Sequence, residues 1–308
     1  MSPMPDARPE PLDEVETERF ETERDRLVGL AYRMLGSIAD AEDVVQAGWL
    51  RWSDPDRGPV DRPAAWLTTV VSRLAIDRMR QQQRRREDYV GPWLPEPVAT
   101  QPADPGSVGV DPARAAELAD SVTFGFLVLL DRLSPVERAV FVLAEVFGEP
   151  FPAIAAAVGK SPDAVRQIAT RARRKVRDGR TEQRPADATL LTELVAALGE
   201  GSVDKVLSLM SPDVVLTSDG GPKRRAARRP VVGADRVSRL MVHLTSRVVD
   251  DVEVSLTELN GAAAYVIRAE GLHMVLAADA GVDGRIAAVH IVMNPDKLGG
   301  VDRSEPVP

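Results

Sequence analysis

FPAIAAAVGKSPDAVRQIATRARRKVR, from Phe151 to Arg177, is the stretch that decides how this chain is read. Ile154, Ala155 and Val158 give a first helix an apolar stripe. Gly159 then supplies a turn in which a left-handed backbone costs glycine little. Ser161 can cap the next helix through its hydroxyl, and Pro162 suits the first helical position, where the missing N–H is harmless. Val165, Ile168, Ala169, Ala172 and Val176 recur at three- and four-residue spacing and bury one face. The opposite face keeps Asp163, Arg166, Gln167, Thr170, Arg171 and Arg174 in solvent. A helix-turn-helix of this kind fits a DNA major groove, with Arg and Gln reaching base edges and phosphates. A basic helix in an ordinary bundle would share the periodicity, but not the turn glycine and cap in register with it.

The chain of 308 residues is long enough for about two domains, each with its own core. It is 44 % hydrophobic and 28 % charged, as expected of a globular protein. There is no cysteine, which excludes disulfides and thiolate metal sites, and only three histidines, His243, His273 and His290. No metal or other cofactor is expected. The N-terminus lacks an apolar core of signal-peptide length and no apolar run approaches a membrane span, so the expected location is cytoplasmic, away from any membrane. The net charge of −8 conceals a segregated pattern. Residues 62–86 sum to +6, residues 160–180 to +6 and residues 222–230 to +5, leaving −25 for the remainder. Basic surfaces on an acidic body point to nucleic acid as partner of the basic parts.

Seven segments follow from the pattern. Residues 1–19 are acidic and rich in proline, the composition of a disordered tail. Residues 20–87 read as helical: Leu27, Leu30, Ala31, Met34 and Leu35 form a stripe ended by Gly36, Ser37 starts a new helix, and a third begins after Pro63. Residues 88–112 hold six prolines and three glycines and read as a linker without regular structure. Residues 113–178 form a second helical domain, 179–186 a polar break, and 299–308 a tail. From 187 to 298 the pattern is α+β: helices at 187–199 and 202–210, the strand-like DVVLTSD, a helix at 234–247, then β runs at 252–259, 262–269, 272–279 and 285–293. Asn260-Gly261 and Asp283-Gly284 are hairpin signals, so the last runs read as an antiparallel meander.

Two surfaces of the first helical domain carry chemistry. Asp40, Glu42, Asp43 and Gln46 lie beside apolar Val44, Trp49 and Leu50, which suits a basic protein partner, although acids in a first turn also complement the helix dipole. The next helix offers Arg73, Arg78, Arg80 and Arg84 to phosphates and Trp66 to an unpaired base, unless Trp66 belongs to the core.

RLVGLAYRMLGSIADAEDVVQAGWLRW followed by RPAAWLTTVVSRLAIDRMR resembles region 2 of extracytoplasmic-function (ECF) RNA polymerase sigma factors. LLDRLSPVERAVFVLAEVFGEPFPAIAAAVGKSPDAVRQIATRARRKVR resembles their region 4. WLPEP at 93–97, DGGPK at 219–223 and NPDKL at 294–298 are similar to phrases of the sigma-J-like group, which carries a fused SnoaL-like domain; Pro222 stands where that group usually has glycine. The resemblance implies two all-α sigma domains and an α+β cone with a curved antiparallel sheet. It implies that Asp40, Glu42, Asp43 and Gln46 dock on the β′ clamp helices of core RNA polymerase, with region 4 on the β flap. Trp66, Arg73, Arg78, Arg80 and Arg84 would open and read the −10 promoter element. Lys160, Ser161, Arg166, Gln167, Thr170, Arg171 and Arg174 would read the −35 element. Catalysis would belong to the polymerase.

The C-terminal domain admits two readings. Relatives of the SnoaL fold include cyclases with an Asp–His pair, for which Asp213, Asp219, His273 and His290 are candidates here; such a domain would bind or turn over a small molecule. The more economical reading is regulation in cis. Trp93, Leu94 and Pro95 of the linker, with Asp219, Gly220, Gly221, Lys223, Asn294, Pro295, Asp296 and Lys297, would contact the sigma core and set the spacing of regions 2 and 4, so that a separate anti-sigma factor is not required. A plain helix-turn-helix repressor would need neither the docking helix nor the arginine helix of residues 20–87.

Overall fold

A computed structural model describes residues 14–86, 89–100, 123–179, 183–247 and 251–301. The expected tail up to residue 13, the linker from 101 to 112, the start of the second helical domain at 113–122 and the tail from 302 lie outside the described residues.

Helix α1 runs Glu14–Leu35, α2 Ile38–Trp52 and α3 Pro63–Arg86. The acidic stretch expected to be disordered to residue 19 is therefore helical from Glu14. Trp52 Nε1 donates to the Glu16 carbonyl at 2.9 Å and Arg57 pairs with the Glu16 carboxylate at 2.9 Å, which ties the first turn to the end of α2. Gly36 closes α1 with φ +71°, and Ser37 caps α2 by accepting from Asp40 N.

Helices α4 (Phe124–Leu130) and α5 (Pro135–Phe141) follow, the second opened by a capping box in which Ser134 and Glu137 satisfy each other's backbone amides. A π turn over Val142–Val146 leads on to α6 (Phe151–Val158) and α7 (Pro162–Gly179). Gly159 sits at φ +65° between them, and Ala164 N donates to Ser161 Oγ at 3.2 Å. The two helical bodies share one apolar core, in which Leu67, Val71 and Ile76 join Val140, Leu143, Ile154 and Val165.

The third body holds α8 (Ala188–Gly199), α9 (Val203–Leu209) and α10 (Ala234–Thr245) with strands β1 (Arg184–Pro185), β2 (Met210–Asp219), β3 (Val231–Val232), β4 (Glu253–Leu259), β5 (Ala262–Ala269), β6 (Leu272–Ala280) and β7 (Ile286–Val292). The strand order is β3-β2-β7-β6-β5-β4, with β1 beside β6. β4 to β7 form the expected antiparallel meander, whereas β2 lies parallel to β7. The 179–186 stretch, expected to be a polar break, contributes β1: Arg184 and Pro185 pair with Ala280 and Asp279.

One sheet face, with Leu216, Tyr265, Leu276, Val289 and Ile291, packs on the domain's own helices. The other face, with Val266, Val275, Ala277 and Val292, is covered by Leu94 of the linker and Phe124 and Val128 of α4. The described part of the proline-rich linker is therefore a buried strap. Leu94 through Val98 are buried, and Ala99 bridges to Leu259 at the sheet's edge. Proline suits such a strap because it brings no N–H that burial would leave unpaired.

Candidate functional site: an interdomain lock and two basic helices

Asp219 ends β2 with no exposure to solvent, so its charge requires donors. Tyr89 OH donates to it at 2.5 Å, Leu94 N at 2.9 Å, Gly221 N at 3.0 Å and Lys297 Nζ at 2.6 Å. Lys297, also buried, donates a second bond to the Leu94 carbonyl at 2.5 Å and lies over the Trp93 ring. Asn294 donates to Tyr89 OH at 2.9 Å and caps the Pro295–Lys297 turn by accepting from Asp296 N. Gly221, at φ +57°, lets Asn294 lie against its backbone: a Cβ there would come within 2.6 Å of the amide nitrogen. Gly220 is as constrained, since a Cβ would meet the Arg224 carbonyl at 2.5 Å. Lys223 and Asp296 pair on the exposed rim. Trp93, Leu94, Asp219, Gly221, Asn294 and Lys297 thus converge on one buried point, while Pro95 packs beside Gly36 of the first helical body.

A second cluster was not anticipated from the sequence. Tyr32 OH of α1 donates to the Glu96 carbonyl at 2.7 Å and accepts from Asn260 Nδ2 at 2.7 Å. Asn260, at the β4–β5 turn with φ +52°, also exchanges bonds with Val98. Glu96 Oε2 accepts from Ile38 N at 2.9 Å, and Glu96 N donates to the Gly36 carbonyl. The first helical body, the strap and the C-terminal sheet meet here. Asn-Gly announced a turn; nothing local announced Tyr32 and Val98 as its partners.

Burial pushes the Glu96 carboxyl above its ordinary value, with the bond from Ile38 N opposing. Burial, followed by the neighbouring Asp219 carboxylate, likewise raises the Tyr89 hydroxyl. A carboxyl raised in the folded state favours folding fully below its unfolded value, and that contribution is lost as pH rises through the raised value. Glu96→Gln keeps the acceptor for Ile38 N and removes the charge. The variant is expected to lose that part of the stability decrease as pH rises above the ordinary carboxylate range. Thermal unfolding of both proteins across that range checks it; parallel curves would contradict it.

The candidate Asp–His pair takes a different form. His290 Nε2 lies 3.0 Å from Asp279 Oδ2, both buried, whereas Asp219 is held by Lys297 and Asp213 is exposed. Phe124 lies over the imidazole, centroids 5.8 Å apart, and Gly125 of α4 abuts the carboxylate: a Cβ there would come within 2.6 Å of Asp279 Cγ.

Asp40 is half-buried under Arg78 and Gln82, with Arg78 Nε at 2.8 Å, while Asp43, Gln46 and Leu50 form an exposed strip and Glu42 is half-buried beside it. Trp66 packs on Trp52 at 5.6 Å, with Arg57 across both rings, so it belongs to the edge of the core rather than to an open stacking platform. Arg73 donates to the Ala156 carbonyl of α6 at 2.7 Å, Arg80 pairs with Asp77, and Arg84 is exposed. On α7, Arg166 pairs with Asp163, and Arg173 and Lys175 with Glu145 and Glu137. Lys160, Ser161, Gln167, Thr170, Arg171 and Arg174 are exposed. Among the described residues no group of three His, Asp or Glu is placed to hold a metal ion, and no helix is long and apolar enough to cross a membrane.

Residues 19–85 match the family model for sigma-70 region 2 and residues 125–176 that for sigma-70 region 4, which makes the helical half a sigma factor body. The ECF RNA polymerase sigma factor SigJ of Mycobacterium tuberculosis is 38 % identical over 93 % of this chain and 94 % of its own. The probable ECF sigma factor SigI of the same organism is 34 % identical over 88 % and 91 %. The crystal structure of M. tuberculosis SigJ superposes with a TM-score of 0.73 at 36 % identity, covering 92 % of this chain and 98 % of that one. The chain therefore belongs to the ECF RNA polymerase sigma factors, non-enzymatic factors of transcription initiation, and carries the C-terminal α+β domain expected of the SnoaL-like type.

Proposed function

We propose that the C-terminal domain regulates the sigma body in cis, holding it in a compact, DNA-free state, and that the observation carrying this reading is the buried Asp219–Lys297–Leu94 lock. In this state Arg73 of the −10 helix is spent on the Ala156 carbonyl of α6, so the −10 helix sits against the helix-turn-helix that carries the −35 helix. Reading two elements separated along a duplex requires them to part. Polymerase docking falls to Asp43, Gln46 and Leu50 on the β′ clamp helices, with Asp40 positioning α2 through Arg78. Region 4 would meet the β flap. Work in the cytoplasm belongs to this reading, and independence from a separate anti-sigma factor follows from the tethered regulator, since a tether keeps even weak contacts populated. The domain is read as non-catalytic: its Asp279–His290 pair is sealed beneath Phe124.

Reconstitution with core polymerase tests the whole. Promoter-dependent transcripts are expected, increased when residues 187–308 are removed; no transcript from either form would overturn the sigma reading, and unchanged output on removal the regulatory one. Within α7, Arg171→Ala with Arg174→Ala is expected to weaken recognition of the upstream element by about tenfold or more. Polymerase affinity should be unchanged. Arg173→Ala, which breaks a bond to Glu145, should affect stability rather than promoter choice. Footprinting and polymerase binding on the same variants separate these effects.

A further inference from the structure

The loop PKRRAARRP, residues 222–230, remains unaccounted for by the lock. Its root is fixed: Gly220 and Gly221 are held by Asp219 and Asn294, Arg224 N donates to the Gly220 carbonyl, and Ala227 N donates to Ser218 Oγ at 3.0 Å. Lys223 is paired with Asp296, but the side chains of Arg224, Arg225, Arg228 and Arg229 are exposed and have no ion-pair partner among the described residues. Some exposed arginines elsewhere fold back onto their own chain, as Arg19 does on Glu16, Arg173 on Glu145 and Arg239 on Asp235. Four uncompensated charges within six residues repel one another in an isolated molecule and call for a polyanion.

The loop's location says which polyanion. The backbone of Ala227 and Arg228 passes Gly91 so closely that a Cβ on Gly91 would meet both at 3.6 Å. Gly91 lies five residues beyond Arg86, the end of α3, a reach of at most about 17 Å. The four loop arginines therefore lie within reach of the end of α3. The loop offers no large apolar side chain, only Ala226 and Ala227, and so lacks the desolvated core of a protein interface. We infer that residues 224–229 bind the phosphate backbone of duplex DNA flanking the segment held by α3. This rests on the promoter-reading assignment of α3 and adds a sequence-independent clamp carried by the C-terminal domain. It also places that domain with region 2 when region 4 moves away, because the loop and the lock share Asp219 and Gly220.

The test uses the full-length chain and a fluorescent mixed-sequence duplex of about 30 base pairs, titrated at several salt concentrations; each lost phosphate contact lowers the slope of log K against log salt by about 0.9. The fourfold variant Arg224→Ala, Arg225→Ala, Arg228→Ala, Arg229→Ala is expected to lower the slope by about 2 to 4 and affinity by about tenfold or more. The fourfold lysine variant should restore both. An unchanged slope, or a loss that lysine does not restore, would overturn the inference. Unchanged duplex binding with weakened affinity for core polymerase would overturn it in favour of a protein partner. Promoter-dependent transcription by the unmodified holoenzyme is scored separately, so failure of the sigma reading is distinguishable from failure of the loop.

Discussion

Lys297→Met is expected to cost about 3–5 kcal/mol of docking stability, because it leaves the Asp219 carboxylate buried with no cation beside it. Tyr89 OH, Leu94 N and Gly221 N would still donate, but three neutral donors do not replace the ammonium, and the Leu94 carbonyl would lose its partner as well. Methionine keeps the length and the contact with Trp93, so the loss reports charge rather than packing. Asp219→Asn in the Lys297→Met background removes the second charge and should recover part of the loss. A double-mutant cycle measured by chemical unfolding gives the coupling directly. Protease access to residues 89–100 is expected to rise in the single variant. Additive effects, or an unaltered digestion pattern, would mean that the pair does not hold the strap. If the strap restrains the sigma body, transcription from reconstituted polymerase should rise alongside.

Gly125→Ala separates two opposed effects. By intrinsic propensity alone, alanine stabilises a helix by up to about 1 kcal/mol over glycine. Here the added methyl would come within 2.6 Å of Asp279 Cγ, a collision that backbone or carboxylate must yield to, at about 1–3 kcal/mol. The net sign is therefore destabilising, and it acts at the seam between α4 and the sheet, where Phe124 covers His290. Gly125→Val enlarges the effect. Asp279→Gly should relieve the clash in the alanine variant, although it deprives His290 of its partner. Hydrogen exchange of α4 and of β6 in both backgrounds is the measurement. Faster exchange confined to this seam, with the Asp219 lock still protected, would show that region 4 detaches while the strap stays in place. A stabilised Gly125→Ala protein would instead mean that α4 does not dock as described.

The helix-turn-helix was readable because its information is local: Gly159, Ser161 and the apolar spacing of α7 lie within one stretch of sequence. The hairpin turns were readable for the same reason, Asn260 adopting φ +52° and Gly284 φ +74°. β1 was not, since two residues carry no periodicity and their pairing is decided by the free edge of β6. The lock was visible only in outline. Its motif residues stood out through resemblance, whereas Tyr32, Tyr89, Glu96 and Asn260 look ordinary until chain segments 64 to 228 residues apart are brought together. The Asp–His candidates failed on partner choice: two acids competed for the role on paper, and register gave His290 to a third, Asp279. Trp66 illustrates a general ambiguity, since an amphipathic helix places aromatic groups near its core edge whether or not a base is to be stacked.

The position of Lys297 has a consequence in time. Its nearest linker contact, the Leu94 carbonyl, lies 203 residues earlier in the chain. At about 5–20 residues per second, synthesis reaches Lys297 roughly 10–40 s after Leu94. Each new molecule thus passes through a period in which both promoter-reading helices exist and the clasp does not. A nascent chain that meets polymerase during this interval does so without ever having been closed.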